Sequence, residues 1–347
     1  MKLYINTSTD PYFNLATEEY LLKNAKDDVI MLWRNAPSVI IGKNQNAYAE
    51  INFDFVKEHG IKVVRRMTGG GAVFHDLGNL NYTFISPSGG RLASGIREGG
   101  LDFAHFTRPI LSALRGLGLD ASLSGRNDIV VSTEDGERKV SGNAQCVIDG
   151  TTLHHGTLLF SAELERLSGA LNPDPDKLKS KGIASVRSRV ANIRDLMTSD
   201  AAKRVPNVNA FADYLTELLK GEFSTVPECL SAEDTAAAEN LAQTKYALDE
   251  WNLRRFGSFS AERRRRFDYG RVEARFEVES GIMTRIEFGG DFFGTEDVEV
   301  LSRLLTGVEY SREAIMVKLY GFDVSGVISG ASASDITNLL FTDESVL

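Results

Sequence analysis

Four short stretches of this sequence hold side chains that could do chemistry. In Arg65-Arg66-Met67-Thr68-Gly69-Gly70-Gly71-Ala72-Val73-Phe74-His75, two guanidinium groups precede three glycines. Glycines let successive backbone N–H groups converge on an anion, and arginine adds charge-assisted bonds to phosphate or carboxylate. Alone, the run reads more readily as a flexible turn, and it is not a P-loop, because no Lys-Ser/Thr pair follows it. The second stretch pairs Asp128 with Arg138-Lys139-Val140-Ser141-Gly142-Asn143-Ala144-Gln145, a strand lysine before a Ser-Gly break; a lysine taken alone is a solvated surface cation. In Leu153-His154-His155-Gly156, strand alternation puts the histidines on opposite faces, so they cannot easily share one metal ion, and no Cys/His set completes a zinc site. The fourth stretch, Lys181-Gly182-Ile183-Ala184-Ser185-Val186-Arg187-Ser188-Arg189-Val190, follows the Pro-rich NPDPDKL and reads as a mobile loop.

Regular elements must position these groups. Asp10-Pro11 opens an amphipathic helix with Phe13, Ala16, Tyr20 and Leu21 on one face. VIMLW (29–33) and SVIIG (38–42), separated by Arg34-Asn35-Ala36-Pro37, read as a strand pair joined by a turn. A helix from Asn52 ends at Gly60, and IKVVRR is a strand running into the glycines. AVFH and LNYTFIS follow as strands, Leu101 to Leu117 as a helix, and DIVVS, ERKVSGNAQCVID and TLHHGTLLF as strands with a hairpin turn at Asp149-Gly150. Helices return between about 206 and 250, and then RVEARFEVESGIMTRIEFGGDFF alternates as a β-hairpin followed by two helical segments. The expected fold class is α+β, a mixed and largely antiparallel sheet with flanking helices, plus a small C-terminal α+β unit. The domains are read as 1–257 and 262–347.

The 347 residues, 42% hydrophobic and 25% charged, are enough for two ordinary cores. A net charge of −9 argues against nucleic acid or a membrane as partner. The run Arg263 to Arg266 is the local exception and reads as a solvated face or a linker clamp. No signal peptide or membrane span is evident, so a cytoplasmic location is expected. Cys146 and Cys229 read as free thiols.

Taken together, RRxTGGGAVFHDLGN, SGRND, RKVSGNA, HHGTLL and GIASVRSRV occur in the order seen in lipoate-protein ligases of the A type. The resemblance extends from the NLATEEY helix and LWRN strand to the tail FDYGRVEARFEVESGIMTRIEF, which resembles the accessory domain of the long-form ligases. One departure is Cys146, which follows Gln145 where some members have other polar or basic residues.

The resemblance implies the fold of the biotinyl and lipoyl transferases, related to class II aminoacyl-tRNA synthetase cores. It also implies activation of lipoate by ATP to lipoyl-AMP, then transfer to a lysine of apo lipoyl domains of 2-oxoacid dehydrogenase complexes or the glycine-cleavage H protein. Lys139 is expected at the lipoate carboxyl and α-phosphate in both half-reactions. Arg66 and the amides of Gly70, Gly71, Ala72, Val73 and Phe74 are expected to hold the phosphates, with Asp128 the carboxylate candidate for Mg²⁺. Trp33, Val73 and His155, with Arg66 and Lys139, are expected to bind lipoate. Gly182, Ser185 and Val186 belong to a loop closing over the adenylate. The rivals are an octanoyl or lipoyl transferase working through a cysteine thioester, a biotin ligase, and a non-catalytic lipoate sensor.

Overall fold

The computed structural model describes residues 1–94, 96, 100–172, 190–253 and 259–341. The loop positions Gly182, Ser185 and Val186 lie outside the described residues.

The strands are β1 (Lys2–Ile5), β2 (Val29–Trp33), β3 (Ser38–Ile41), β4 (Lys62–Arg65), β5 (Val73–His75), β6 (Asn79–Ser86), β7 (Ala121–Ser124), β8 (Asp128–Thr133), β9 (Gly136–Ile148), β10 (Thr151–Leu159), β11 (Pro227–Glu228), β12 (Ala261–Phe267), β13 (Gly270–Glu279) and β14 (Ile282–Gly290). Eight of them form one sheet in the order β11-β1-β2-β6-β10-β9-β8-β7. Its β11–β1 and β1–β2 pairings are parallel and the others antiparallel, giving the mixed, largely antiparallel sheet expected. One face buries a core against the helices Phe103–Gly116 and Val208–Phe223, with Phe84, Phe106, Phe160 and Phe211 among its members. The β9–β10 turn is formed by Asp149 and Gly150, both at positive φ.

The expected pairing of β2 with β3 does not occur. β2 lies between β1 and β6 in the large sheet, whereas β3 is the centre of a three-stranded sheet, β4-β3-β5. Both strands are buried along their whole length, so neither carries the alternation that would assign it to a hairpin. The connection between them is held instead by helix Pro11–Asn24, where Asn14 Nδ2 donates to Arg34 O (2.9 Å) and to Asn35 Oδ1 (2.8 Å).

That helix starts as expected, with Pro11 at its first turn and the Asp10 side chain accepting from the Tyr12 amide at 3.0 Å. It is not simply amphipathic. Leu15, Ala16, Leu21 and Leu22 are buried, but so are Asn14, Thr17, Glu18 and Glu19. Wedged between the two sheets and Tyr246, it satisfies its polar side with specific partners rather than water.

The tail has its own core, built from Val272, Phe276, Phe288, Phe292 and the helices Val298–Leu305, Arg312–Leu319 and Ala333–Leu340. The expected β13–β14 hairpin is present, turning at Ser280-Gly281. Arg263 to Arg266 lie within β12, an edge strand paired to β13 along its length, with Arg265 and Arg266 exposed. The side chains alternate across the strand, which lets four cations occupy a strand without all sharing one face.

Candidate active site

A cavity of about 610 Å³ lies where the large sheet, the small sheet and the tail meet. Lys139 reaches it through an irregularity in β9. Ile129 pairs with Ser141 but the next residue, Val130, pairs with Lys139, so Val140 is the extra residue of a bulge. Val140 drops wholly into the core while Lys139 stays on the cavity side with Val130. The Lys139 Nζ lies 2.7 Å from Asp128 Oδ1, each side chain about one-third exposed. The Lys139 carbonyl accepts from the Ala191 amide at 2.9 Å, so the chain leaving the 181–190 stretch returns beside the lysine.

Across the cavity, β4 and β5 deliver the glycine loop. Arg66 is buried and organises it: Nε donates to Thr68 Oγ1 (2.9 Å), Nη1 to Ile40 O (3.1 Å), and Nη2 to Gly69 O (2.7 Å) and Gly71 O (2.9 Å). Burial pushes its pKa down to about 10, with Glu18 acting the other way, so it stays a cation at neutral pH. Gly71, Ala72 and Val73 line the cavity, and a Cβ on Gly71 would meet nothing, which leaves its backbone open to a ligand.

Two loop residues stand elsewhere than expected. The Gly70 amide donates to the Phe292 carbonyl of the tail at 3.2 Å. Gly70 sits at φ +88 under the Phe293 ring, so the backbone conformation and the ring together require glycine there. Phe74 pairs with Val39 and packs with Val39 and Ile41 away from the cavity. Of the expected row of phosphate-binding amides, Gly71, Ala72 and Val73 line the cavity.

Leu15, Trp33, Ile40 and Val73, packed in one cluster, line the cavity as an apolar wall together with His155. A directional network fixes it. Trp33 Nε1 donates to Thr83 Oγ1 (2.8 Å), and Thr83 donates to Glu18 Oε1 (2.6 Å). His155 Nδ1 lies 2.9 Å from Glu18 Oε1 and Nε2 lies 2.8 Å from Thr68 Oγ1, which itself accepts from Arg66. One assignment satisfies every group: Nδ1–H donates to Glu18 and Nε2 accepts from Thr68. His154, on the opposite face as alternation requires, is wholly buried among Tyr82, Phe84, Phe103 and Phe106.

The structure therefore brings Trp33, Arg66, Gly71, Ala72, Val73, Asp128, Lys139 and His155 to one cavity. Sequence reading missed Glu18, Thr68 and Arg126, and the tail residues Arg266 and Asp291 that also line it. The adjacent Glu18-Glu19 pair looks like a solvated helix face, and only its burial reveals otherwise. Cys146 is buried in the core behind helix Pro11–Asn24, and burial pushes its thiol up to about 12, opposite to what a thioester-forming nucleophile needs. Among the described residues no group of three His, Cys, Asp or Glu side chains could hold a metal ion, and no helix is long and apolar enough to cross a membrane.

A glycine loop, a strand lysine and apolar side chains thus share one cavity against a mixed sheet. Comparison with known proteins is specific. Residues 10–220 match the lipoyl protein ligase A/B catalytic domain, and residues 257–340 match the bacterial lipoate protein ligase C-terminus. The chain is 38% identical over 340 residues to lipoate-protein ligase LplJ of Bacillus subtilis, covering 96% of this chain and 97% of that protein. It is 39% identical over 321 residues to lipoate–protein ligase 1 of Staphylococcus aureus, covering 92% and 93%. The fold matches P. falciparum LipL1 in complex with lipoate, with TM-score 0.74 at 22% identity over 93% and 94% of the chains. A bi-partite lipoate protein ligase of Thermoplasma acidophilum, described with its E2 lipoyl domain, gives TM-score 0.60 at 27% identity over 75% of this chain and 98% of that one. Lipoate-protein ligase A bound with ATP gives 0.57 at 26% identity over 73% and 98%. The chain belongs to the lipoate-protein ligase family.

Proposed function

We propose that this protein activates lipoate with ATP to lipoyl-AMP, releasing pyrophosphate, and transfers the lipoyl group to a lysine of an apo lipoyl domain. The observation that carries this reading is the cavity's polarity: an apolar wall that includes Trp33 and His155 shares it with Lys139 and with a loop whose Gly71–Val73 backbone is drawn into place by Arg66. Lipoate has that shape, an apolar ring and chain ending in a carboxylate. The names of the B. subtilis and S. aureus relatives, and the ATP bound by the solved ligase A, support the same chemistry.

In activation, a lipoate carboxylate oxygen attacks the α-phosphorus and the bond to the bridging oxygen of the β-phosphate breaks. Lys139 neutralises both the incoming carboxylate and the α-phosphate oxygens. In transfer, the amine attacks the lipoyl carbonyl carbon and AMP leaves, and the same ammonium stabilises the tetrahedral oxyanion or the departing AMP. Arg66 acts through the loop: its hydrogen bonds hold the carbonyls of Ile40, Gly69 and Gly71 and the Thr68 hydroxyl, which fixes the course of the chain that carries Gly71 to Val73. Gly182, Ser185 and Val186 are read as the closing loop, whose return at Val190 lines the cavity.

Asp128 is one carboxylate at the cavity and Glu137 another, which fits Mg²⁺ in its usual manner, held mainly by nucleotide phosphates with one or two protein carboxylates. When bound, the ion would neutralise phosphate charge. The division into a catalytic part, 1–257, and an accessory part, 262–347, is supported by the separate cores. The acceptor class is supported by the Thermoplasma ligase described with its E2 lipoyl domain, and 2-oxoacid dehydrogenase lipoyl domains and glycine-cleavage H protein in the cytoplasm are the proposed targets. The test is incubation with lipoate, ATP and Mg²⁺, with and without an apo lipoyl domain. Lipoyl-AMP without the acceptor and a lipoyl mass increment with it are expected; modification from an acyl carrier without ATP would replace this reading with the transferase.

A further inference from the structure

The tail carries a cation into the catalytic cavity. Arg266 of β12 lines it, 3.4 Å from Asp291 Oδ2, and Arg126 approaches the same carboxylate region from the catalytic part. Arg126 donates to Tyr269 O and, at 3.3 Å, to Asp291 O, while its guanidinium lies 4.6 Å above the Phe293 ring. Its loop is clasped to β9 by reciprocal bonds, Asn127 Nδ2 to Asn143 O (2.6 Å) and Asn143 Nδ2 to Asn127 O (2.9 Å). Gly270 sits at φ +136, and a Cβ there would come within 3.0 Å of Arg126 Nη1 and 2.9 Å of Asp291 Oδ1. The meeting point is therefore built to bring guanidinium groups of the two parts together. Burial pushes the Arg126 pKa down, Asp291 opposes this, and the neighbouring Arg266 lowers it further.

We propose that Arg126 and Arg266 form a clamp for the β- and γ-phosphates of ATP, so that the tail serves the activation half-reaction through a direct contact with the leaving pyrophosphate. This rests on the ligase reading. Arg126 lies two residues before Asp128, the partner of Lys139, so a triphosphate whose α-phosphate lies at Lys139 extends along the same wall toward the two arginines. As the carboxylate oxygen bonds to the α-phosphorus, the electron pair of the breaking bond moves onto pyrophosphate. Planar guanidinium forks match phosphate oxygens bidentately, which a lysine cannot do. The Asp291 carboxylate holds Arg266, and its main-chain carbonyl holds Arg126. Transfer from lipoyl-AMP involves no β- or γ-phosphate, so the clamp is silent there.

The experiment uses the full chain and measures both half-reactions separately. Arg266→Ala should lower kcat/KM for ATP in lipoyl-AMP formation by about 10²-fold, the scale for one group stabilising transition-state charge. It should weaken inhibition by added pyrophosphate in parallel, and leave transfer from supplied lipoyl-AMP within about twofold, the scatter of such rates. Arg266→Lys should fall between, and Arg126→Lys, which keeps the buried charge, should show the same split. Asp291→Asn separates clamp from docking: if Arg266 acted only through that ion pair, Asp291→Asn would match Arg266→Ala in ATP dependence while pyrophosphate inhibition stayed unchanged, and the proposal would fall. Equal loss in both half-reactions, or unaltered ATP and pyrophosphate dependence in both arginine variants, overturns it as well. Wild-type protein that forms no lipoyl-AMP overturns the ligase reading itself; wild-type activity with an indifferent Arg266→Ala overturns the clamp alone.

Discussion

Replacing Lys139 with alanine removes the ammonium proposed to act in both chemical steps. Unit charges about 3 Å apart interact by about 5 kcal/mol at an effective dielectric near 20. Lys139 is one-third exposed and shares its charge with Asp128 at 2.7 Å, so roughly half of that is available, about 2.5 to 3 kcal/mol or about 10²-fold in rate. Lys139→Ala should therefore lower lipoyl-AMP formation by about 10²-fold and transfer from supplied lipoyl-AMP by a similar factor. Folding should be nearly unaffected, with stability changed by about 0.5 kcal/mol or less, since the partly exposed Asp128 is rehydrated. The assay resolves lipoyl-AMP chromatographically for the first step and weighs the acceptor domain for the second, beside a thermal melt. A folded variant with near-normal transfer would refute the shared role and confine Lys139 to activation.

Other perturbations separate neighbouring claims. Cys146→Ser should retain ligation within about threefold, a change of about 0.7 kcal/mol, because the buried thiol makes no covalent bond; complete loss in a folded variant restores the thioester route. A chain ending at Gly257 loses the Phe292 carbonyl and Arg266, and should lose activation by about 10²-fold or more while still transferring from lipoyl-AMP; equal activation by both forms would make the tail a stability module. His75 is buried neutral, with burial and then Arg66 and His155 holding its pKa down to about 3 against 6.5. The unfolded chain then binds more protons between those values, so stability present at pH 7 falls as pH drops below 6.5, by about 2 kcal/mol at pH 5 from this group. Urea unfolding at the two pH values should show the loss, reduced by that amount in His75→Gln; an unchanged pH dependence in the variant would show that His75 is not buried neutral.

Much of the site could be read from residue types. The strand-loop-strand around Gly69–Gly71, the β9 lysine and the opposite faces of His154 and His155 follow from turn chemistry and alternation, and the cavity gathers the side chains so nominated. What escaped depends on tertiary contacts. The Val140 bulge, which leaves Lys139 facing the cavity, falls before the Ser141-Gly142 break and not at it. The separation of β2 from β3 is decided by Asn14 holding the connection from another element. Glu18 is a ligand to His155 only because helix Pro11–Asn24 is enclosed on nearly every side, and its sequence does not separate a buried Glu-Glu pair from a wet one. Gly70 looked like part of an anion cradle, but its amide donates to the Phe292 carbonyl, more than two hundred positions away.

The central claim is an acyl-adenylate route, and the fate of the lipoate oxygens tests it most directly. Lipoate labelled with oxygen-18 in both carboxylate positions is supplied with ATP, Mg²⁺ and an apo lipoyl domain, and the AMP and pyrophosphate are weighed. If the carboxylate attacks the α-phosphorus and the acceptor amine later attacks the carbonyl carbon, the bridging oxygen leaves with AMP. Each lipoylated lysine should then be matched by one AMP carrying one heavy oxygen, with unlabelled pyrophosphate. Lipoylated acceptor alongside unlabelled AMP, or label appearing in inorganic phosphate, would contradict the account.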